Sequence, residues 1–138
     1  MELTRRNALL MGVSACLVAG LPLQAATTPE EAIAAFTGGA EIGSGDITLT
    51  APEIAENGNT VPIEVASETA VEIMVLALGN PTPPVATFKF GKLAASRAAS
   101  TRIRLAGTQD VVAIAKLEDG SFVQAASTVK VTIGGCGG

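Results

Sequence analysis

A chain of 138 residues, nearly half of them apolar, is long enough for one domain with a real hydrophobic core. It contains no His, Tyr or Trp and only four Phe. That excludes aromatic platforms for bases or sugars, and it removes the usual general base, the Ser-His and Cys-His nucleophile pairs and the commonest metal ligand. The net charge is −4, with nine acidic and no basic residues over 27–80, then seven basic and three acidic over 81–138. No Lys/Arg cluster is dense enough for nucleic acid. The asymmetry fits either two differently charged faces or ordinary solvated strand faces.

The first 26 residues read as a leader. Arg5 and Arg6 precede an apolar run over 8–23 that is too short for a comfortable membrane span, and Ala25 and Ala26 suit a signal peptidase. Thr4-Arg5-Arg6 followed by Leu9 and Leu10 resembles the twin-arginine signal, which exports folded proteins to the periplasm. The rival reading makes 13–16 a lipobox with Cys16 lipidated. Against it, the apolar run continues to Leu23, beyond the point where lipidation normally closes such a stretch. Cleavage near Ala26 leaves Cys136 as the one cysteine of the mature chain. An odd cysteine in an oxidising compartment is either paired with another molecule or kept as a reactive thiol.

The mature chain opens with a helix: Thr28 as N-cap, Pro29 at the first position, Glu31 completing a capping box, Ile33 and Phe36 on one face, Gly38 and Gly39 as the stop. Period-two alternation then takes over. It appears at Ile47 and Leu49, at Val61, Ile63 and Val65, along 85–90, at Ile103 and Leu105 against Arg102 and Arg104, and at Val129, Val131 and Ile133. Pro62 suits an edge strand. Residues 56–59, "ENGN", read as a hairpin-type turn, 79–84 as a rigid turn, 91–100 as a loop and Asp119-Gly120 as a turn. About seven short strands after a helix predict a mainly β, immunoglobulin-like sandwich over 27–133. Residues 71–77, beyond Glu72, and 111–117 are apolar on both faces. They are central strands with a helix or loop outside, or they form a protein–protein interface.

The chain ends "GGCGG". Gly134, Gly135, Gly137 and Gly138 lack side chains, so Cys136 sits on a thin arm, three residues beyond Ile133 and about 10 Å from the body when extended. No Lys, Arg or His in the tail can activate the thiol, and the nearby terminal carboxylate disfavours a thiolate. A catalytic cysteine is normally held beside a cation. A thiol peroxidase or disulfide oxidoreductase would need a polar or basic pocket that the tail does not supply. A carrier whose thiol is activated in other proteins' active sites comes first. A β-sandwich interaction domain dimerised through a Cys136 disulfide comes second, and a terminal thiocarboxylate on Gly138 third. No resident cofactor or metal is expected.

"GGCGG" behind "VKVTI" resembles SoxY, the sulfur-carrier subunit of the bacterial Sox thiosulfate-oxidation system. "AENGNTVPIEV", "LGNPTPPVATFKF" and "STRIRLAGTQDVVAIAKLEDG" look like the same family, as does the twin-arginine leader. The resemblance implies a non-catalytic carrier with sulfur attached covalently to Cys136 and a swinging arm at residues 134–138. It implies pairing with a small, mostly β SoxZ subunit that leaves the cytoplasm with it. It also implies transient visits to the c-type haem enzyme SoxAX, which joins thiosulfate oxidatively to the cysteine. The hydrolase SoxB then releases sulfate, and the dehydrogenase SoxCD oxidises the remaining sulfane sulfur in some systems. The two-faced strands become candidate contacts for SoxZ.

Overall fold

The computed structural model describes residues 27–132. Helix α1 (Pro29–Thr37) forms where the sequence supplies both of its ends. The Thr28 hydroxyl accepts from the Glu31 N–H, and the Glu31 carboxylate accepts from the Thr28 N–H. These bonds pair amides that a first turn otherwise leaves unsatisfied. Gly38, at φ 65°, ends the helix in the left-handed region that favours glycine.

Nine strands follow among the described residues: β1 (Ile42–Gly43), β2 (Thr48–Thr50), β3 (Ile54–Ala55), β4 (Val61–Ala66), β5 (Ala70–Ala77), β6 (Pro84–Lys89), β7 (Ala98–Ile103), β8 (Gln109–Leu117) and β9 (Phe122–Val131). Seven of them span three residues or more, the number expected from the sequence. The two-residue strands β1 and β3 both run parallel to β9. One sheet has the order β1-β9-β8-β5-β6, with β3 also on β9, and the other has β2-β4-β7. All the longer strands pair antiparallel. The first, second and fifth of the long strands thus face the third, fourth, sixth and seventh, which is the layering of an immunoglobulin-like sandwich.

The alternation read from the sequence builds the inter-sheet core. Val61, Ile63 and Val65 of β4 point inward against Ile73 and Val75 of β5, Val111 and Ala113 of β8, and Val129 of β9. Full burial of each such branched side chain contributes roughly 1.5–3 kcal/mol. The two-faced strands are resolved by α1. Met74, Leu76, Val112 and Ile114 point away from the second sheet and are buried with Phe122 beneath Ala32, Ile33 and Phe36. The rings of Phe36 and Phe122 meet edge to face with centroids 5.7 Å apart. These outer faces belong to the protein's own second core, so they are not the open partner surface that the sequence allowed.

Three local expectations need correction. β4 lies in the middle of its sheet, so Pro62 is not on an edge strand by order. It is tolerated because β2 pairs only with 64–66 of β4, which leaves the Pro62 position open on that side. Residues 56–59 turn the chain but close no hairpin, since β3 pairs with β9 and β4 pairs with β2 and β7. The 91–100 loop ends earlier than expected: Ala98, Ala99 and Ser100 pair with β4 as the start of β7. The acidic and basic halves of the sequence also interleave in space. Glu72 faces Lys89 across β5 and β6 at 3.9 Å, and Pro62 and Glu64 of β4 lie opposite Arg102 and Ser100 of β7. The charges therefore line solvated strand faces.

Candidate functional site

The sequence places the chemistry beyond β9, and the structure fixes where that segment begins. β3 pairs with the end of β9: the Lys130 N–H donates to Glu53 O at 2.9 Å, and the Thr132 N–H donates to Ala55 O at 3.0 Å. The Thr132 hydroxyl lies 3.4 Å from both Ala55 O and Glu56 O. On the other side, the Val131 N–H donates to the Thr108 hydroxyl at 3.0 Å. The chain is thus held from both flanks up to Thr132. Cys136, four residues further on, can stand about 13–14 Å from that anchor when extended. Cys136 and the arm glycines Gly134, Gly135, Gly137 and Gly138 lie outside the described residues, as do Arg5 and Arg6 of the leader.

Three loops surround this anchor: 56–60, 78–83 and 104–108. They come together because β5 ends, and β4 and β8 begin, at the same end of the sandwich as the end of β9. The Leu105 N–H donates to Gly58 O at 2.8 Å, tying the first loop to the third. Asn80 ties the second to the third. Its Nδ2 donates to Arg104 O at 2.7 Å, and its Oδ1 accepts from the Ala106 N–H and from Gln109 Nε2, both at 2.9 Å. Gln109 is buried, and its Oε1 accepts from the Gly79 N–H at 2.9 Å. Glycine keeps this approach close: a Cβ at position 79 would stand 3.0 Å from the Gln109 Cβ, and the glutamine would have to give by a few tenths of an ångström. The result is a rigid, hydrogen-bonded rim around the root of the terminal segment.

Asp46 and Asp119, two carboxylates held below their usual range, both lie at the opposite end of the sandwich. Burial alone would raise the Asp46 pKa, but hydrogen bonds from Thr69, Ser67 and the Glu68 and Thr69 amides outweigh it. Asp119 is lowered by bonds from the Ser121 hydroxyl and amide. Among the described residues no group of three or more His, Cys, Asp or Glu is placed to hold a metal, and no helix is long and apolar enough to cross a membrane. Sequence reading missed the β3 clamp and the Asn80–Gln109 pair. The "GNP" turn signal marked where Asn80 sits, but no local pattern links it to a glutamine 29 residues away.

The Sulfur oxidation protein SoxY family model matches residues 33–136. That span runs from α1 through the whole sandwich and ends on Cys136. Among solved structures, the sulfur carrier protein SoxY from Chlorobium limicola f. thiosulfatophilum is 36% identical, with a TM-score of 0.65, over 75% of this chain and 96% of that one. A superoxide reductase (neelaredoxin) from Ignicoccus hospitalis matches with a TM-score of 0.55 at 17% identity, over 77% of this chain and 94% of that one. At that identity the likeness is one of fold alone. Among curated proteins none matches the chain. The family model spans the sandwich and reaches position 136, the Chlorobium structure shares the fold, and the chain belongs to the SoxY family of sulfur oxidation proteins.

Proposed function

We propose that this chain is a periplasmic, non-enzymatic carrier that holds thiosulfate-derived sulfur covalently on Cys136 and presents it to a series of partner enzymes. In this reading residues 1–26 are a cleaved twin-arginine leader carrying Arg5 and Arg6, residues 27–133 are the body, and Gly134, Gly135, Gly137 and Gly138 make the arm. The observation that carries it is the family match reaching Cys136 on a segment whose root is clamped at Thr132. A clamped root with a slim tip keeps the body outside an enzyme while the sulfur enters.

The loading step forms one S–S bond between the Cys136 sulfur and the sulfane sulfur of thiosulfate. The thiol proton goes to solvent, and two electrons pass to the haem enzyme that catalyses the step. Hydrolysis then breaks the bond between the sulfane and sulfonate sulfurs. Water supplies the fourth oxygen of sulfate, and a persulfide stays on Cys136. The adducts are small anions, and tethering raises their effective concentration at the next active site. This chain contributes the thiol and the arm. The haem, metal and bases belong to the enzymes, consistent with a sequence that has no histidine. A small SoxZ-type subunit is the constant partner.

Intact-mass measurement on protein purified from thiosulfate-grown cells tests the reading. The expected result is a set of mass steps of sulfur and thiosulfonate that map to Cys136. A chain recovered only as an unmodified thiol, or only as a Cys136-linked dimer, under conditions that preserve such adducts would overturn it.

A further inference from the structure

Residues 90–97, which join β6 to β7, hold an apolar side chain and a guanidinium nitrogen that find no partner within the described fold. Leu93 is 99% exposed, the most exposed large apolar side chain among the described residues. Arg97 is the reverse. Its side chain is only 17% exposed, Nη2 donates to Glu118, and Nη1 is buried without an acceptor among the described residues. A buried donor of a charged group left unmatched carries a penalty that an incoming acceptor removes.

Arg97 borders a recess of about 450 Å³ lined also by Val71, Phe90, Lys92 and Glu118. Its lining is part apolar, from Val71 and Phe90, and carries two cations against one carboxylate. Lys92 makes no ion pair among the described residues. The recess therefore has the lining to take a carboxylate beside apolar surface, and Leu93, which follows Lys92 in the chain, offers an aliphatic knob. A free oxyanion would answer Arg97 but leave Leu93 unexplained. Glu68, Glu118 and Asp119 at the same end oppose an anionic bilayer. Mixed charge around an apolar anchor is the character of a protein–protein rim and hot spot.

The position is informative too. The Phe90 N–H donates to Val71 O, the Ser67 N–H to Arg97 O, and the Glu118 N–H to Thr69 O. These bonds put the recess where β5 begins and β8 ends, the end of the sandwich opposite Thr132. The length of those strands separates the two by roughly 25 Å. We infer that residues 90–97, with Val71 and Glu118, form the docking surface for a constant protein partner that presents a carboxylate to Arg97 and Lys92 and an apolar recess to Leu93. This rests on the carrier reading, in which the partner that stays bound must leave the arm end free for the enzymes that come and go.

The test titrates the exported full-length mature chain with the SoxZ-type subunit of the same organism by calorimetry. Leu93→Asp should weaken pairing at least about 100-fold and Arg97→Gln at least about 10-fold, as buried anchors do. Leu93 touches nothing in its own fold, so Leu93→Asp reads docking free of any folding defect, and amide exchange over 90–97 should slow on pairing. Pairing within threefold of wild type for Leu93→Asp, unchanged exchange over 90–97, or no pairing at all would overturn the inference. So would a recess that binds sulfate alone or anionic vesicles while Leu93→Asp pairs normally. Cys136 adduct mass, read on the same samples, separates the two proposals. A loaded chain that ignores Leu93→Asp sinks the surface alone, and a chain that pairs through Leu93 but never carries an adduct sinks the carrier alone.

Discussion

Thr132 and Ala55, 77 residues apart, are joined twice: by the Thr132 N–H at 3.0 Å from Ala55 O, and by the Thr132 hydroxyl at 3.4 Å from the same oxygen. This pairing makes the end of β9 an anchored root instead of a fraying strand end. Everything proposed for the terminal thiol depends on a fixed body meeting a slim segment at a defined point.

Cys136→Ser keeps the size of the side chain and removes the sulfur. We expect thiosulfate-dependent turnover in a reconstituted system to fall to background, with the melting temperature and partner affinity unchanged. Turnover at the normal rate would place the attachment elsewhere.

The paired substitution Gly135→Val and Gly137→Val adds bulk and restricts φ and ψ on both sides of the sulfur. Loading and hydrolysis rates should drop at least about tenfold, while the urea midpoint stays at the wild-type value. An unchanged rate would show that the arm does not enter a narrow site.

Asn80→Ala strips three hydrogen bonds from the rim and leaves Arg104 O, the Ala106 N–H and Gln109 Nε2 without that partner. These bonds are exposed or part-buried and Gln109 Nε2 keeps Gly107 O as an acceptor, so urea denaturation should show a loss of about 0.5–1.5 kcal/mol, the net worth of such a bond. A variant as stable as wild type would mean that the loops around the root are held by their backbone alone.

The Asp46 Oδ2 accepts from the Ser67 and Thr69 hydroxyls and from the Glu68 and Thr69 amides at 2.8–2.9 Å. Its folded pKa therefore lies below 3.8. A lowered folded pKa gives stability that is present above the unfolded value, about 3.9, and fades as pH falls through the folded one. Asp46→Asn should thus be less stable than wild type at pH 7, and the gap should narrow as the pH drops below about 4. A gap that stays constant down to pH 2.5 would show that the carboxylate charge plays no part.

The helix start at Thr28 and Glu31, its stop at Gly38, the inward face of β4, the seven long strands and the terminal cysteine among glycines were all legible in the sequence. Each is written in neighbouring residues: a capping box, a period of two, a run without side chains. The resemblance to SoxY was legible for the same reason, through contiguous segments. The tertiary structure alone decided what covers the two-faced strands, where Pro62 finds an open side, and that 56–59 joins two sheets instead of closing a hairpin. It alone brought Ala55 to Thr132, Asn80 to Gln109 and Arg97 to Glu118. These pairings join residues 21 to 77 positions apart. Their energy comes from hydrogen bonds and burial that exist only once the sheets have stacked, so no local pattern carries them.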